Sequence, residues 1–229
     1  MYGEYTVGVV ILAAGRSERM AGRLNKVYQE VLGSPVLNYS ISTFIGTGAV
    51  DEFVLVFNEK DEDMLESRVL STVEVDVPIE TVPGGERRQD SSRAGLEYMD
   101  TDYVFVHDGA RPYFSSQLAE TLLEAAVEHR AAFPGVKPVD TIRENKEGFA
   151  GPTVDRDKLV RVQTPQCFER DLVFGAIDKS VKQNEYYSDD AAAVMNYANL
   201  KPRVVRGERG NIKLTTEEDI KFIELLLSS

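Results

Sequence analysis

Short, uninterrupted apolar runs that recur between amphipathic stretches constrain this chain most. Residues 7–12 (VGVVIL), 53–57 (FVLVF) and 103–106 (YVFV) are rich in β-branched and aromatic side chains and too short for buried helices. Each reads as a strand covered on both faces. Residues 79–82 form a shorter strand that runs into Gly84 and Gly85. Helical patterns lie between them. One begins at Pro35 with Ser34 as its N-cap, and others cover residues 61–70, 89–99 and 115–130. In the last of these, Leu118, Leu122, Leu123 and Ala126 repeat at helical spacing. Strands alternating with helices predict an α/β fold, a mostly parallel sheet with helices on both faces.

After Phe133 the rhythm breaks. Residues 139–161 are charged, alternate poorly and contain Gly148 and Gly151, which predicts a protruding arm rather than a core element. Helical phase resumes over 170–181 and 189–198, strands are expected at 203–205 and 212–214, and a helix at 216–227. With no internal repeat and no low-complexity linker, the expectation is one domain over 1–229 with an arm at about 139–161.

The formal net charge of −12 argues against nucleic-acid and membrane partners, which select basic surfaces. No apolar run reaches the ~20 residues of a membrane span, and the polar first six residues do not read as a secretory signal. A single cysteine, Cys167, excludes an intramolecular disulfide, and two histidines are too few for a histidine-built metal site. These features predict a cytoplasmic protein. The acidic balance also sets a problem for any enzyme that handles anionic phosphates: cations must be gathered locally or brought in as a metal.

Ligands of open parallel sheets bind at the carboxyl ends of the strands. After the first strand come Ala13, Ala14 and Gly15, small enough for backbone N–H groups to approach a phosphate, followed by the cations Arg19 and Lys26. The segment is neither a Walker A loop nor a GxGxxG turn, and a tight turn with solvated charges would use the same residues. After the fourth strand, Asp108 stands where a magnesium ligand is often found, although a capped turn is the simpler account. Its neighbour His107 is expected to be packed rather than catalytic. Gly84 and Gly85 enter a helix whose Ser91 could bond a base, while Glu86, Arg87 and Asp90 read equally well as helix-start charges. Lys213 lies in a short apolar segment and therefore needs an anionic partner, either phosphate or a structural carboxylate.

Taken in order, several motifs resemble one family. They are Leu12-Ala13-Ala14-Gly15 with Arg19-Met20, Gly84-Gly85 through Asp90-Ser91, and Val106-His107-Asp108 with Ala110-Arg111-Pro112. Further on come residues 138–141, Thr153-Val154-Asp155-Arg156, Thr164-Pro165-Gln166, Ser188-Asp189 and Asn211-Ile212-Lys213. The chain resembles the 2-C-methyl-D-erythritol 4-phosphate cytidylyltransferases of the non-mevalonate isoprenoid pathway, over nearly its whole length. That resemblance implies a Rossmann-like nucleotidyltransferase fold. It also implies a homodimer with interlocking arms and shared active sites, and transfer of a cytidylyl group from CTP to a sugar-alcohol phosphate with Mg²⁺ or another divalent cation.

Carried over residue by residue, the resemblance places Ala13, Ala14, Gly15, Gly85, Ser91 and Gly109 at the nucleotide. Arg19, Lys26 and Lys213 would surround the triphosphate and the reacting phosphorus, with Asp108 on the metal and at the substrate. Arg111, Thr164, Ser188 and Lys213 would face the sugar phosphate, and Thr141 and Arg156 would reach it across the dimer. The chain departs from the family pattern at Gly109, where alanine is frequent and glycine is expected to loosen the turn, and at Ser188, which keeps the hydroxyl of the usual threonine. Ser17 replaces a frequent glycine, and Leu24-Asn25-Lys26 replaces the usual proline–lysine, implying a longer, more mobile loop. Ribitol 5-phosphate cytidylyltransferases share the nucleotide motifs, but residues 138–141 and 153–156 match the methylerythritol enzymes better. A non-catalytic nucleotide binder would have little use for Lys26, Asp108 and Lys213 together.

Overall fold

The structure is a computed structural model, described over residues 2–15 and 25–228. β1 (Val7–Leu12) ends at residues 13–15, and a 3-10 turn, Lys26–Tyr28, leads into β2 (Glu30–Val31), β3 (Ser34–Pro35) and α1 (Val36–Ile45). β4 (Glu52–Phe57) is followed by a 3-10 turn, Glu59–Asp61, then α2 (Glu62–Met64), which widens into a π-helical stretch over Leu65–Leu70. Next come β5 (Ile79–Pro83), α3 (Arg88–Glu97), β6 (Tyr103–Asp108), α4 (Ser116–His129) and β7 (Ala131–Val136). β8 (Ile142–Lys146) and β9 (Phe149–Val154) pair only with each other, and the 3-10 turn Arg156–Lys158 follows. The chain closes with β10 (Arg161–Val162), β11 (Gln166–Glu169), α5 (Arg170–Lys182), α6 (Asp190–Tyr197), β12 (Arg203–Arg206) and α7 (Glu217–Leu227).

The central sheet runs β10-β7-β11-β6-β1-β4-β5, with β12 also on β7. β5, β4, β1 and β6 are mutually parallel, whereas β11 is antiparallel to both β6 and β7. Side chains alternate across the sheet, so consecutive residues of β1 serve two cores. Val9 and Ile11 pack with Phe44 of α1 and Leu122 of α4 on one face, and Val10 and Leu12 with Leu96 of α3 and Ile177 of α5 on the other. The register pairs Leu12 with both Val56 and Asp108, which brings the ends of β1, β4 and β6 to one level. Gly95 lets α3 lie close on that sheet, because a Cβ there would stand 2.5 Å from Val10 Cγ1 and 2.7 Å from Val56 Cγ2.

Several expectations need correction. Ser34 and Pro35 pair with residues 30–31 as a strand, so α1 starts at Val36 with Pro35, not Ser34, at its N-cap. The helix expected over 61–70 is three short pieces of changing pitch. β7 and β11 had no strand signal. Pro134 and Gly135 interrupt the first, and the second is four residues inserted against the parallel direction. Residues 212–214 form no strand. Their backbone is tied by single bonds, Ile212 N–H to the Gly210 carbonyl at 2.7 Å and Leu214 N–H to the Ala110 carbonyl at 2.8 Å. The arm is a hairpin, with Phe149 at its tip 78% exposed. Among the described residues, no helix is long and apolar enough to cross a membrane.

Candidate active site

The carboxyl ends of β1, β4, β5 and β6 surround a cleft of about 430 Å³. Residues 12–15 line one side, with the Ala13 N–H donating to the Val56 carbonyl at 2.7 Å. Gly84 closes against this turn, since a Cβ there would meet Ala14 Cβ at 2.3 Å and Ser91 Oγ at 2.8 Å. The Ser91 hydroxyl accepts from the Gly85 N–H at 3.2 Å and donates to the Arg87 carbonyl at 3.3 Å, fixing the glycine turn over the start of α3. Arg87 and Asp90 are helix-start charges. The Asp90 carboxylate accepts from the Arg87 backbone at 3.1 Å and grips its guanidinium at 3.0 Å.

Asp108 sits on the cleft floor inside a cluster of cations. Arg88 Nε donates to its Oδ1 at 2.9 Å, Lys213 Nζ to its Oδ2 at 2.7 Å, and Arg111 Nε lies 3.9 Å from Oδ2. Burial alone would raise this carboxyl, but Arg88 and Lys213 outweigh it and hold the group well below the carboxylate range. Arg88 reaches on to Asp190 Oδ2 at 2.7 Å, and those two carboxylates overcome its own burial to keep it charged. Asp190 is delivered by the first turn of α6. Asp189 caps that helix through the Ala192 N–H at 3.0 Å, and Gln166 of β11 holds Asp189 and the Ala191 N–H, each at 3.1 Å.

His107 lies beneath this floor, fully buried. Its Nε2 faces the Arg111 carbonyl at 3.1 Å, which can only accept, so this nitrogen carries the proton and Nδ1 accepts from Thr164 Oγ1 at 3.1 Å. Thr164 Oγ1 in turn accepts from the Asp108 N–H at 3.0 Å. His107 thus packs as expected and serves to fix Thr164 and Asp108. Burial pushes its pKa down from 6.5 to about 3. Between those values the unfolded chain binds the extra proton and the folded one does not, so stability is full above 6.5 and falls as pH drops toward 3. The slope should approach ~1.4 kcal/mol per pH unit. Denaturant unfolding from pH 7 to pH 4 should be steeper in the wild type than in His107→Gln; equal slopes would refute this assignment.

The loop that presents Lys213 is anchored from below. Gln163 Nε2 donates to the Glu208 carbonyl at 2.8 Å and the Asn211 carbonyl at 2.9 Å, and Asn211 Nδ2 to the Thr164 carbonyl at 2.8 Å. Arg111 Nη1 also donates to the Asn211 carbonyl, at 2.9 Å.

Ala13, Ala14, Gly15, Lys26, Gly85, Ser91, Asp108 and Lys213 therefore share one cleft. The partner of Lys213 is the carboxylate of Asp108. Arg111 and Thr164 lie behind the floor, where they hold Asn211 and Asp108 rather than line the opening. Gly109 also faces inward, where a Cβ would stand 2.8 Å from Leu37 Cδ1 and 3.2 Å from the Leu12 carbonyl oxygen. Ser188 is exposed just ahead of α6, off the cleft lining. Thr141 and Arg156 lie on the arm side, off the lining too, with Arg156 Nη1 donating to the Val139 carbonyl. Arg19 lies outside the described residues, as does most of the segment expected to be longer and more mobile; Asn25 at its end is buried and hydrogen-bonded. Sequence reasoning missed Arg88, Asp190 and the Asn58–Lys60 side of the cleft.

A family model for 2-C-methyl-D-erythritol 4-phosphate cytidylyltransferase (IspD) matches residues 7–229. A curated protein of that name from Caldanaerobacter subterraneus subsp. tengcongensis is 38% identical over 224 residues, covering 96% of this chain and 98% of the relative. One from Clostridium botulinum is 36% identical over 222 residues, 96% of each chain. The crystal structure of 4-diphosphocytidyl-2C-methyl-D-erythritol synthase from Anaerococcus prevotii superposes with a TM-score of 0.84 at 29% identity, over 98% of this chain and 99% of that one. The 2-C-methyl-D-erythritol 4-phosphate cytidylyltransferase of Thermus thermophilus gives 0.79 at 27% identity, over 96% and 98%.

Proposed function

This chain belongs to the 2-C-methyl-D-erythritol 4-phosphate cytidylyltransferase family, and on that premise we propose how its cleft performs the transfer. The reaction joins CTP to 2-C-methyl-D-erythritol 4-phosphate, giving 4-diphosphocytidyl-2-C-methyl-D-erythritol and pyrophosphate. A phosphate oxygen of the sugar alcohol attacks the α-phosphorus in line; a P–O bond forms there while the bond to the β-phosphate bridging oxygen breaks. The nucleophile is already anionic, so no strong base is needed. The difficulty is bringing two polyanions together and holding the charge of a crowded transition state, which calls for positioned cations. The observation that carries this reading is the meeting of Lys26 and Lys213 in one small-residue cleft of a chain whose net charge is −12. Arg19 is assigned to the same triphosphate by family resemblance.

A magnesium ion would reach this cleft on the nucleotide, with Asp108 as the carboxylate that would hold it. Mg²⁺ favours one or two carboxylates completed by phosphate oxygens and water; Asp108 would supply one ionised carboxylate once Lys213 turns from its Oδ2 to phosphate, and no three acidic, histidine or cysteine side chains converge among the described residues. When bound, the ion neutralises triphosphate charge. A pyrophosphate-release panel crossing CTP, UTP, GTP and ATP with methylerythritol 4-phosphate and ribitol 5-phosphate tests the reading. Release is expected with CTP and methylerythritol phosphate and should stop in chelator. A preference for ribitol phosphate would overturn the acceptor, and full release in chelator the metal.

The exposed hairpin, with Thr141 and Arg156 beside it, supports a homodimer in which each arm completes the partner's site. Inactive Arg156→Ala and Lys26→Ala proteins should then regain partial turnover when co-assembled. Proven heterodimers with no recovery would exclude shared sites.

A further inference from the structure

Asn25 stands on the cleft wall immediately before Lys26 and is only 8% exposed. Its Nδ2 group meets three acceptors: the Gly15 carbonyl at 3.1 Å, the Ala13 carbonyl at 3.3 Å and Asp61 Oδ2 at 2.9 Å. The first two belong to the turn after β1. The third belongs to the 3-10 turn after β4, whose residues 58–60 also line the cleft. The Asn25 carbonyl also accepts from the Tyr28 N–H at 3.0 Å, so the same residue opens the turn that carries Lys26.

The chemistry of this position is restrictive. These three partners of Nδ2 are all acceptors, so the position calls for a side-chain donor. A carboxylate would face two carbonyls and a second carboxylate, and an alanine would reach none of them. The contact with Asp61 is charge-assisted and is the shortest of the three.

From this juxtaposition we infer that Asn25 is a positioning residue for the nucleotide. Anchored on Asp61, it fixes the distance between the backbone of residues 13–15 and the turn bearing Lys26. The inference rests on the reading that this cleft takes CTP. It makes Asn25 and Asp61 a single unit although neither is required to touch the substrate.

Calorimetric titration of CTP, without acceptor, into wild type, Asn25→Ala, Asp61→Ala, Asp61→Asn and the double alanine variant tests it. Each alanine variant should bind CTP about tenfold more weakly, the scale of one hydrogen bond to a charged group. The double variant should lose little more, because the two residues act through one contact. Asp61→Asn keeps an acceptor oxygen and should bind close to wild type, and in turnover the KM for the sugar phosphate should stay unchanged in all of them. Wild-type affinity in Asn25→Ala, or a double variant that loses the product of the two single losses, overturns the inference. If Asn25→Ala fails to fold, the Asp61 pair decides: loss in alanine with recovery in asparagine supports the unit, and equal affinity in both refutes it. A wild type that binds no CTP would instead overturn the functional reading beneath it.

Discussion

Lys213→Ala is expected to lower kcat about a hundredfold or more while the protein stays folded. One preorganised cation facing a phosphoryl transition state contributes roughly 3–4 kcal/mol. The fold should survive because the loop is held by Gln163, Asn211 and Arg111 rather than by the ammonium group. Asp108 also keeps Arg88 when Lys213 is gone. Steady-state kinetics with CTP and methylerythritol phosphate, alongside a melting curve, would check both parts. Near-full kcat would remove Lys213 from the mechanism, and loss of the folded state would show that its role is structural.

The second large effect is on stability. Arg88→Ala leaves Asp108 and Asp190 buried with their shared cation removed, and breaking a buried ion pair from one side typically costs about 3–5 kcal/mol. Adding Asp190→Asn should recover part of that, because Asp108 keeps its bond to Lys213 while the carboxylate left without Arg88 at position 190 is then neutral. The loss should shrink in acid. A carboxyl held low in the folded state contributes above its unfolded pKa of about 3.9, and that contribution fades as pH falls below it. Denaturant melts at pH 7 and pH 3 would test this. A change of less than about 1 kcal/mol at pH 7 would mean that water replaces the guanidinium at little cost.

The two buried cores explain what could be read in advance. Residues 7–12, 53–57 and 103–106 are covered on both faces, so their continuous apolar character marks them as strands without further context. β11 carries no such mark. Its Gln166 is buried because it holds the start of α6, a tertiary role that makes a polar residue fit where the pattern wants an apolar one. The site divides the same way. Residues at strand ends were legible because a parallel sheet gathers those ends at one edge. Arg88 was not, since it follows Glu86 and Arg87 in a run that reads as a solvated helix start. Arg87 does bond the first turn of its own helix, and the next residue points inward to two carboxylates. No spacing rule separates such neighbours.

The bond between Lys213 and Asp108 has a consequence for how the cleft receives its ligands. The Lys213 side chain is 39% exposed and its ammonium already has a counter-ion 2.7 Å away, so a phosphate bound as proposed would meet a lysine that is already oriented. On the proposed reading, phosphate binding there would be an exchange of partners rather than a capture from bulk solvent. Much of the reorganisation that a free lysine would undergo on meeting a phosphate has been completed by folding, with the carboxylate standing where a phosphate would.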